Sequence, residues 1–320
     1  MTKIIAELCQ NHNGDIKILQ EMVHAAAESG ADFAKIQSID SSELTHRPRF
    51  DEGLIEGGKI KVIKRPYKAE YTRLKKLDLN EKHHQLFIEY CKKYKIKPMT
   101  TIFSLSKIDM IEQLGFKTIK IASFDCASHR LIKEIADKNF QHIVVSTGAT
   151  FNNEIKKTAH ILKHAYKKHT LLHCVSIYPT GIEDANLSRL NYLKRISKNV
   201  GLSDHSNPEI SKNLIPAVGL YVGVDLIEKH FTILGKDKTK DGPVSANPAQ
   251  LKELTSLAKG NEKKLKEYID ELVDDVDILL GMENRDMTVT ELLNRDYYQG
   301  RFASKNKEGN YVFNWSNDSL

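Results

Sequence analysis

The chain has 320 residues, 40% of them hydrophobic and 28% charged, with a mean hydropathy of −0.43. That balance excludes disordered, collagen-like and disulfide-rich miniprotein classes and allows one sizeable core without staples. Basic residues number 48 and acidic residues 42, for a formal charge of +6; the lysines are scattered through the chain rather than gathered in a run, which argues against nucleic acid and suits a small anionic substrate.

Short apolar runs alternate with helix-period segments, and eight such pairs can be counted. Strands are expected at Lys3–Leu8, Phe33–Gln37, Lys97–Phe103, Thr118–Ala122, His142–Ser146, Leu171–Val175, Val200–Ser203 and Leu226–His230. Helices are expected near 16–29, 81–95, 106–114, 129–138, 152–167, 186–197, 208–221 and 248–273. Asn80 before Glu81 and Asn207 before Pro208 read as helix caps. Runs such as IVVS and TLLHCV are continuous apolar stretches, the pattern of strands buried on both faces. Eight βα units predict a (β/α)₈ TIM barrel over residues 1–280. A doubly wound open sheet is the alternative, but no G-x-G-x-x-G or P-loop string opens any helix. Residues 38–79 form a long connection of the kind that is usually functional. Residues 281–320, with six aromatic side chains from Tyr297 to Trp315, are too few to fold alone and are expected to dock on a barrel face, that of a second subunit, making a homodimer.

Cys9, Cys91, Cys126 and Cys174 have no CxxC spacing, the N-terminus lacks a signal-peptide apolar region, and no run approaches about eighteen apolar residues. A cytoplasmic enzyme with reduced thiols and no membrane or nucleic-acid partner is expected.

In such a barrel the active site lies at the C-terminal strand ends. The polar residues there are Glu7, Lys35 with Gln37, Thr101, Lys120 with Ser123 and Asp125, Ser146, then Tyr178, Ser203 with His205, and Glu228-Lys229-His230. Two lysines among hydroxyl donors suit a phosphate or carboxylate, because charge-assisted hydrogen bonds are about twice as strong as neutral ones. Burying both without an anion would cost several kcal/mol each. His205 and His230 end adjacent strands, where two imidazoles can share a divalent ion with positions open to water and substrate. The blander readings are kept for His83-His84, taken as solvated, for the Lys263–Lys266 region, taken as a polar helix face, and for Cys174, taken as a small core residue.

The strings AELCQNHNG at 6–14, KIQ at 35–37, KIASFD at 120–125, STG at 146–148, GLSDH at 201–205 and EKHFT at 228–232 together resemble the N-acetylneuraminate (sialic acid) synthase family, which includes the legionaminic and pseudaminic acid synthases. The resemblance covers roughly residues 3–260 and implies a barrel that condenses phosphoenolpyruvate with an N-acyl amino sugar in its open aldehyde form, with a divalent metal, Mn²⁺ or Mg²⁺. It implies phosphoenolpyruvate contacts at Lys35, Thr101, Lys120, Ser123, Ser146 and Ser203, metal ligands at His205 and His230, an acid/base at Glu7, and sugar contacts at Gln37, Asp125, Tyr178 and Asp241. The chain departs from the family pattern at Ser176, where Asn is usual, at Asp125, where Glu is usual, and at Asp241-Gly242-Pro243, where the order is G-P-D. It also ends where the family's C-terminal antifreeze-like capping domain, which supplies an arginine to a partner's site, would be getting under way; Arg295 and Arg301 resemble that domain's entry. A synthase acting on a different aldose, or a non-catalytic sugar-binding barrel, are the other functions considered.

Overall fold

The computed structural model describes residues 1–320. In chain order the strands are β1 (Lys3–Cys9), β2 (Phe33–Ser38), β3 (Leu54–Glu56), β4 (Lys59–Val62), β5 (Lys97–Ile102), β6 (Thr118–Ile121), β7 (His142–Ser146), β8 (Lys168–His173), β9 (Val200–Asp204), β10 (Leu226–His230), β11 (Ala303–Lys305) and β12 (Tyr311–Phe313). All but the hairpins β3–β4 and β11–β12 are parallel and close into a barrel in the order β1-β2-β5-β6-β7-β8-β9-β10, the last pairing back onto β1. A helix follows each barrel strand, as a (β/α)₈ barrel requires: Ile16–Glu28, Glu81–Lys93, Ile108–Gln113, His129–Ala136, Asn152–His164, Arg189–Lys194, Leu214–Val222 and Pro248–Lys259.

Local chemistry sets the helix boundaries. Asn80 accepts the His83 N–H at 2.9 Å, the expected cap. Asn247 and Gln250 cap each other at 3.0 and 2.9 Å, a reciprocal box. The single helix expected over 248–273 is two, because Gly260 stops the first and Asn261 caps the second, Glu262–Leu272. The helix expected from Pro208 starts at Leu214; Asn207 instead closes a local turn on the Glu209 N–H at 3.0 Å, a competing use of an Asn side chain.

Inside the barrel, side chains alternate with a period of two. Ile5, Phe33, Met99, Val144, Leu172 and Leu226 form a buried apolar cluster near the N-terminal end. Gly201 is required beside it: a Cβ there would lie 2.4 Å from Leu172 Cδ2 and 2.5 Å from the Leu226 carbonyl oxygen. Two residues further along these strands stand Glu7, Lys35, Thr101, Ser146 and Glu228. The interior thus changes from apolar to charged in one step of the pleat.

The C-terminal segment packs on its own barrel. Ser188 and Leu187 donate backbone hydrogen bonds to Leu280 and Leu279 at 2.8 Å. The helix Val289–Tyr298 then crosses the strand-end face, with Asn294 donating to the Ser176 carbonyl at 3.0 Å and Arg295 to the Ala149 carbonyl at 2.7 Å and Glu154 at 2.6 Å. Phe302 bridges Leu44 and joins Ile39, Leu44 and Leu74 in a small buried cluster. Within the chain, the expected docking on a barrel face is made to its own strand ends, where Tyr297 and Phe302 are buried while Trp315 stays 43% exposed.

Removing the Phe302 ring should cost roughly 3–5 kcal/mol where it is buried. Phe302→Ala should therefore speed hydrogen exchange across residues 299–314 while exchange in β7 and β8 stays unchanged. Uniform acceleration in both regions would show that tail and barrel unfold as one unit.

Candidate active site

A cavity of about 440 Å³ opens at the C-terminal strand ends. Its walls include Glu7, Lys35, Gln37, Thr101, Lys120, Ser123, Ser146, Tyr178, Ser203, His205, His230 and Asp241, twelve of the thirteen expected site residues. Lys35, Arg65, Lys120, Lys240 and Arg301 face Glu7, Glu228 and Asp241 across it, an excess of positive charge that favours an anionic ligand.

At its floor lies a dense ionic layer. Lys35 Nζ contacts Glu7 Oε2, donates to Thr101 Oγ1 at 3.0 Å and stands 3.5 Å from Glu228 Oε2. Lys120 Nζ binds both oxygens of Glu228, at 2.6 and 2.7 Å, and Ser203 Oγ donates to Glu228 Oε1 at 2.9 Å. Burial works against charge on Glu228, but Lys120 and Lys35 overcome it and hold the carboxyl below the usual range. Burial lowers the Lys35 ammonium, with Glu228 opposing. Glu228 was expected at the strand ends but without a role in the site. Its signal was the strand parity that places it two residues before His230 and opposite Ser203.

The other end of the cavity carries the imidazole nitrogens, with the buried Cys9 thiol close by. His205 Nδ1 is 3.1 Å from the Val175 carbonyl, which can only accept, so the proton sits on Nδ1 and Nε2 presents a lone pair. Nε2 lies 3.1 Å from the Tyr178 hydroxyl. Burial first, then His230, pushes His205 down to about 3, and burial lowers His230 too, so both imidazoles are neutral near pH 7. The two rings are 5.4 Å apart. His230 Nδ1 is buried without a hydrogen-bond partner, and the donor atoms of Cys9, His230 and Asp241 all lie within 4.8 Å of one another. Neutral imidazoles, an unpartnered ring nitrogen and a nearby carboxylate form a donor set that fits a divalent ion. Ser146 Oγ is likewise buried without a partner at the anion end.

Asp125 is the exception among the expected residues. It lines a small adjoining pocket that shares Phe103, Ala122, Phe124, Tyr298 and Arg301 with the cavity, and it accepts from Asn314 Nδ2 at 2.7 Å and Ser128 Oγ at 2.9 Å. In this chain the carboxylate anchors the tail. His84, expected to be solvated, is buried and bonded to Ser38 Oγ at 2.7 Å and to the Asn80 carbonyl at 2.9 Å; the amphipathic helix turns that histidine inward. Cys174 is buried in the wall, 3.0 Å from Ser123 Oγ, in agreement with a core role. No helix of the structure is long and apolar enough to cross a membrane.

Residues 22–270 match the NeuB family. The N,N'-diacetyllegionaminic acid synthase of Campylobacter jejuni is 34% identical over 284 residues, covering 84% of this chain and 78% of that protein. The pseudaminic acid synthase of Helicobacter pylori is 33% identical over 247 residues, covering 76% and 69%. Among solved structures, the N-acetylneuraminic acid (sialic acid) synthetase of Leptospira borgpetersenii, in complex with citrate, superposes with a TM-score of 0.70 at 28% identity over 92% of this chain and 90% of that one. A DAHP synthase of Thermotoga maritima shares the fold alone, with a TM-score of 0.58 at 16% identity over 84% and 69%.

Burial raises Asp125 from 3.8 to about 6 against the two hydrogen bonds that lower it. Below pH 4 the carboxyl is protonated folded or unfolded, so it costs nothing. Between about pH 4 and 6 the folded state holds the extra proton, and stability falls as pH rises, by roughly 2–3 kcal/mol in all. Asp125→Asn keeps the acceptor oxygen for Asn314 and Ser128, so it should raise the thermal midpoint at pH 7.5 and leave it unchanged at pH 4. An Asn variant less stable at pH 7.5 would contradict this.

Proposed function

The chain belongs to the NeuB family, and from that premise we propose that it is a synthase condensing phosphoenolpyruvate with an N-acyl amino sugar, a mannosamine or 2,4-diacetamido hexose derivative, to give a nonulosonic acid and inorganic phosphate. Its relatives are by name synthases of N,N'-diacetyllegionaminic acid and pseudaminic acid. The observation that carries the substrate assignment is the anion end of the cavity, where Lys35, Lys120, Thr101, Ser123, Ser146 and Ser203 converge and the Ser146 hydroxyl has no protein partner.

In this reading the phosphate and carboxylate of phosphoenolpyruvate bind over the two lysines, the hydroxyls adding neutral donors. Glu228 holds both ammonium groups in place before substrate arrives, so little reorganisation is needed at that end. The sugar occupies the wider part, beside Gln37, Tyr178 and Asp241. A divalent ion, Mn²⁺ or Mg²⁺, held by His205 and His230 would polarise the sugar aldehyde as a Lewis acid. C3 of the enol phosphate attacks the aldehyde carbon, whose oxygen takes a proton from solvent to become a hydroxyl. Water adds to the cationic C2 and Glu7 takes its proton; Glu7 Oε2 is already placed against Lys35 and Oε1 against the Cys9 N–H at 2.7 Å. The C2 hydroxyl of the resulting hemiketal phosphate then becomes the C2 carbonyl as the C2–O bond to phosphate breaks, its proton leaving with the inorganic phosphate. The homodimer expected from the aromatic tail stays part of this reading, with Trp315, 43% exposed, as surface for a second subunit to cover. Arg301, which lines the cavity and pairs with Glu70, would act on the substrate from the same chain.

Phosphate release from phosphoenolpyruvate should require both an N-acyl hexosamine and Mn²⁺ or Mg²⁺. Release with plain aldoses but with no N-acyl sugar would replace this acceptor class by another. Lys120→Met should raise the KM for phosphoenolpyruvate about ten- to a hundredfold and that for the sugar far less, the loss expected of one charged hydrogen-bond partner, roughly 1.5–3 kcal/mol. Because this leaves Glu228 buried and unpaired, the Lys120→Met/Glu228→Gln pair checks that the effect is not unfolding. Equal effects on both substrates in the double variant would contradict the placement.

Mixing separately purified Lys120→Met and Arg301→Ala proteins should restore no activity, because each cavity is roofed by its own tail. Recovery on mixing would mean that the tails exchange between subunits.

A further inference from the structure

We propose that the Cys9 sulfur is a third protein ligand to the divalent ion of this site, with His230 and Asp241, making it a thiolate site that favours thiophilic metals over Mg²⁺. The inference rests on the reading that this end of the cavity holds a metal, and it adds the ligand that decides which one.

Cys9 ends β1, two residues after Glu7, where the pairing with β2 shifts register. The shift aims the side chain at the tip of β10, opposite the donors that follow it. Its thiol is fully buried, with no place in the apolar core cluster between strands and helices. Sulfur, imidazole nitrogen and carboxylate oxygen from three separate segments come within 4.8 Å of one another. The independent sign that something is held there is His230. Its ring is 6% exposed and its Nδ1 has no partner, which costs the full desolvation of a polar nitrogen unless a ligand satisfies it. The backbone at Cys9 has φ +40°, a conformation in which glycine would be more comfortable, so a side chain is kept there at a cost.

Charge also separates this set from one made of imidazoles alone. A thiolate and a carboxylate neutralise a divalent ion, whereas imidazoles bring no negative charge of their own. On binding, the Cys9 S–H bond gives way to a sulfur–metal bond and the proton leaves to solvent, as thiol ligation requires. Sulfur prefers the softer and later ions, while Mg²⁺ binds oxygen. Three protein ligands leave room for substrate oxygen, and Asp241 would then meet the sugar through the ion. His205, with Nε2 turned to the Tyr178 hydroxyl, adjoins the set from the substrate side.

The probe is Co²⁺ added to the metal-free full-length protein and followed by absorption. The wild type should show cobalt d–d bands together with a near-ultraviolet sulfur-to-cobalt charge-transfer band. Cys9→Ser should lose the charge-transfer band and bind Co²⁺ more weakly, on the order of tenfold or more, and its Cd²⁺-over-Mg²⁺ preference should shrink. Cys174→Ser, the control for the other thiol near the cavity, should keep the band. Since the serine retains the β-carbon, its thermal midpoint without metal checks the fold. Cobalt d–d bands without charge transfer in the wild type would overturn the sulfur ligand and leave the metal site standing; failure to bind Co²⁺ at all would overturn both.

Discussion

Glu7, Lys35, Lys120 and Glu228 are each 3% exposed or less, stacked in one layer inside a parallel barrel with an apolar plug beneath. Isolated charges in such a place would cost several kcal/mol apiece, and their mutual attraction offsets this only when the geometry leaves no lone pair idle. Here Glu228 is held by two cations and a serine hydroxyl, so neither lysine waits unpaired for substrate. Any anion that binds must compete with, or bridge to, a carboxylate already seated. The layer is therefore stiff, and its stiffness is what allows hydroxyls on β5, β7 and β9 to converge on a single point. Stability is conceded where position matters, as buried ionic clusters at functional sites commonly do.

Above that layer the site is finished by chain that lies far from it in sequence. Glu291, fully buried, is held by Arg285 at 2.6 Å and caps its own helix through Thr288. Thr45 meets the Arg301 carbonyl at 2.9 Å, and Asn314 reaches Asp125 and the Phe103 carbonyl. With Arg295 on the Ala149 carbonyl and Asn294 on the Ser176 carbonyl, these contacts tie the tail to the loops after β2, β5, β6, β7 and β8 at once. A roof fastened at so many separate strand ends depends on the barrel being closed first. It also explains why Asp125 tolerates a raised pKa: the carboxyl is spent on anchoring the roof.

Much of this was legible in the residues. Period-two alternation placed the lysines, serines and histidines inside the barrel, and eight βα units fixed how the strands close, because parallel neighbours leave few topologies open. What escaped was set by partners distant in the chain. Glu228 reads as one charge in EKH until Lys120, 108 residues away, is known to face it. Asp125 reads as a strand-end acid until Asn314 arrives. His84 looks solvated beside His83 because helical phase decides which of two adjacent histidines turns inward, and Pro208 looks like a helix start because Asn207 can cap a turn as readily as a helix. The tail could be read as aromatic enough to dock, and the strand ends it meets within its own chain depend on a linker path that no periodicity encodes.

The motif strings SDH and EKH carry two layers in one alternation. Ser203, His205, Glu228 and His230 point into the cavity, while Asp204 and Lys229 point the other way, where Lys229 Nζ is fully buried, 2.5 Å from Asp204 and 2.8 Å from the Ser206 carbonyl. Asp204 also accepts the Ser206 N–H and hydroxyl, at 3.1 and 2.8 Å. Each charge of that outer pair sits next in sequence to a cavity residue on either side. A shift of β9 against β10 that broke the outer pair would therefore move Ser203 away from Glu228 and change the approach of His205 to His230. The register that aligns the chemistry is thus locked from behind by an ion pair with no access to substrate, which is why the inner residues alone do not account for the pattern in these two strings.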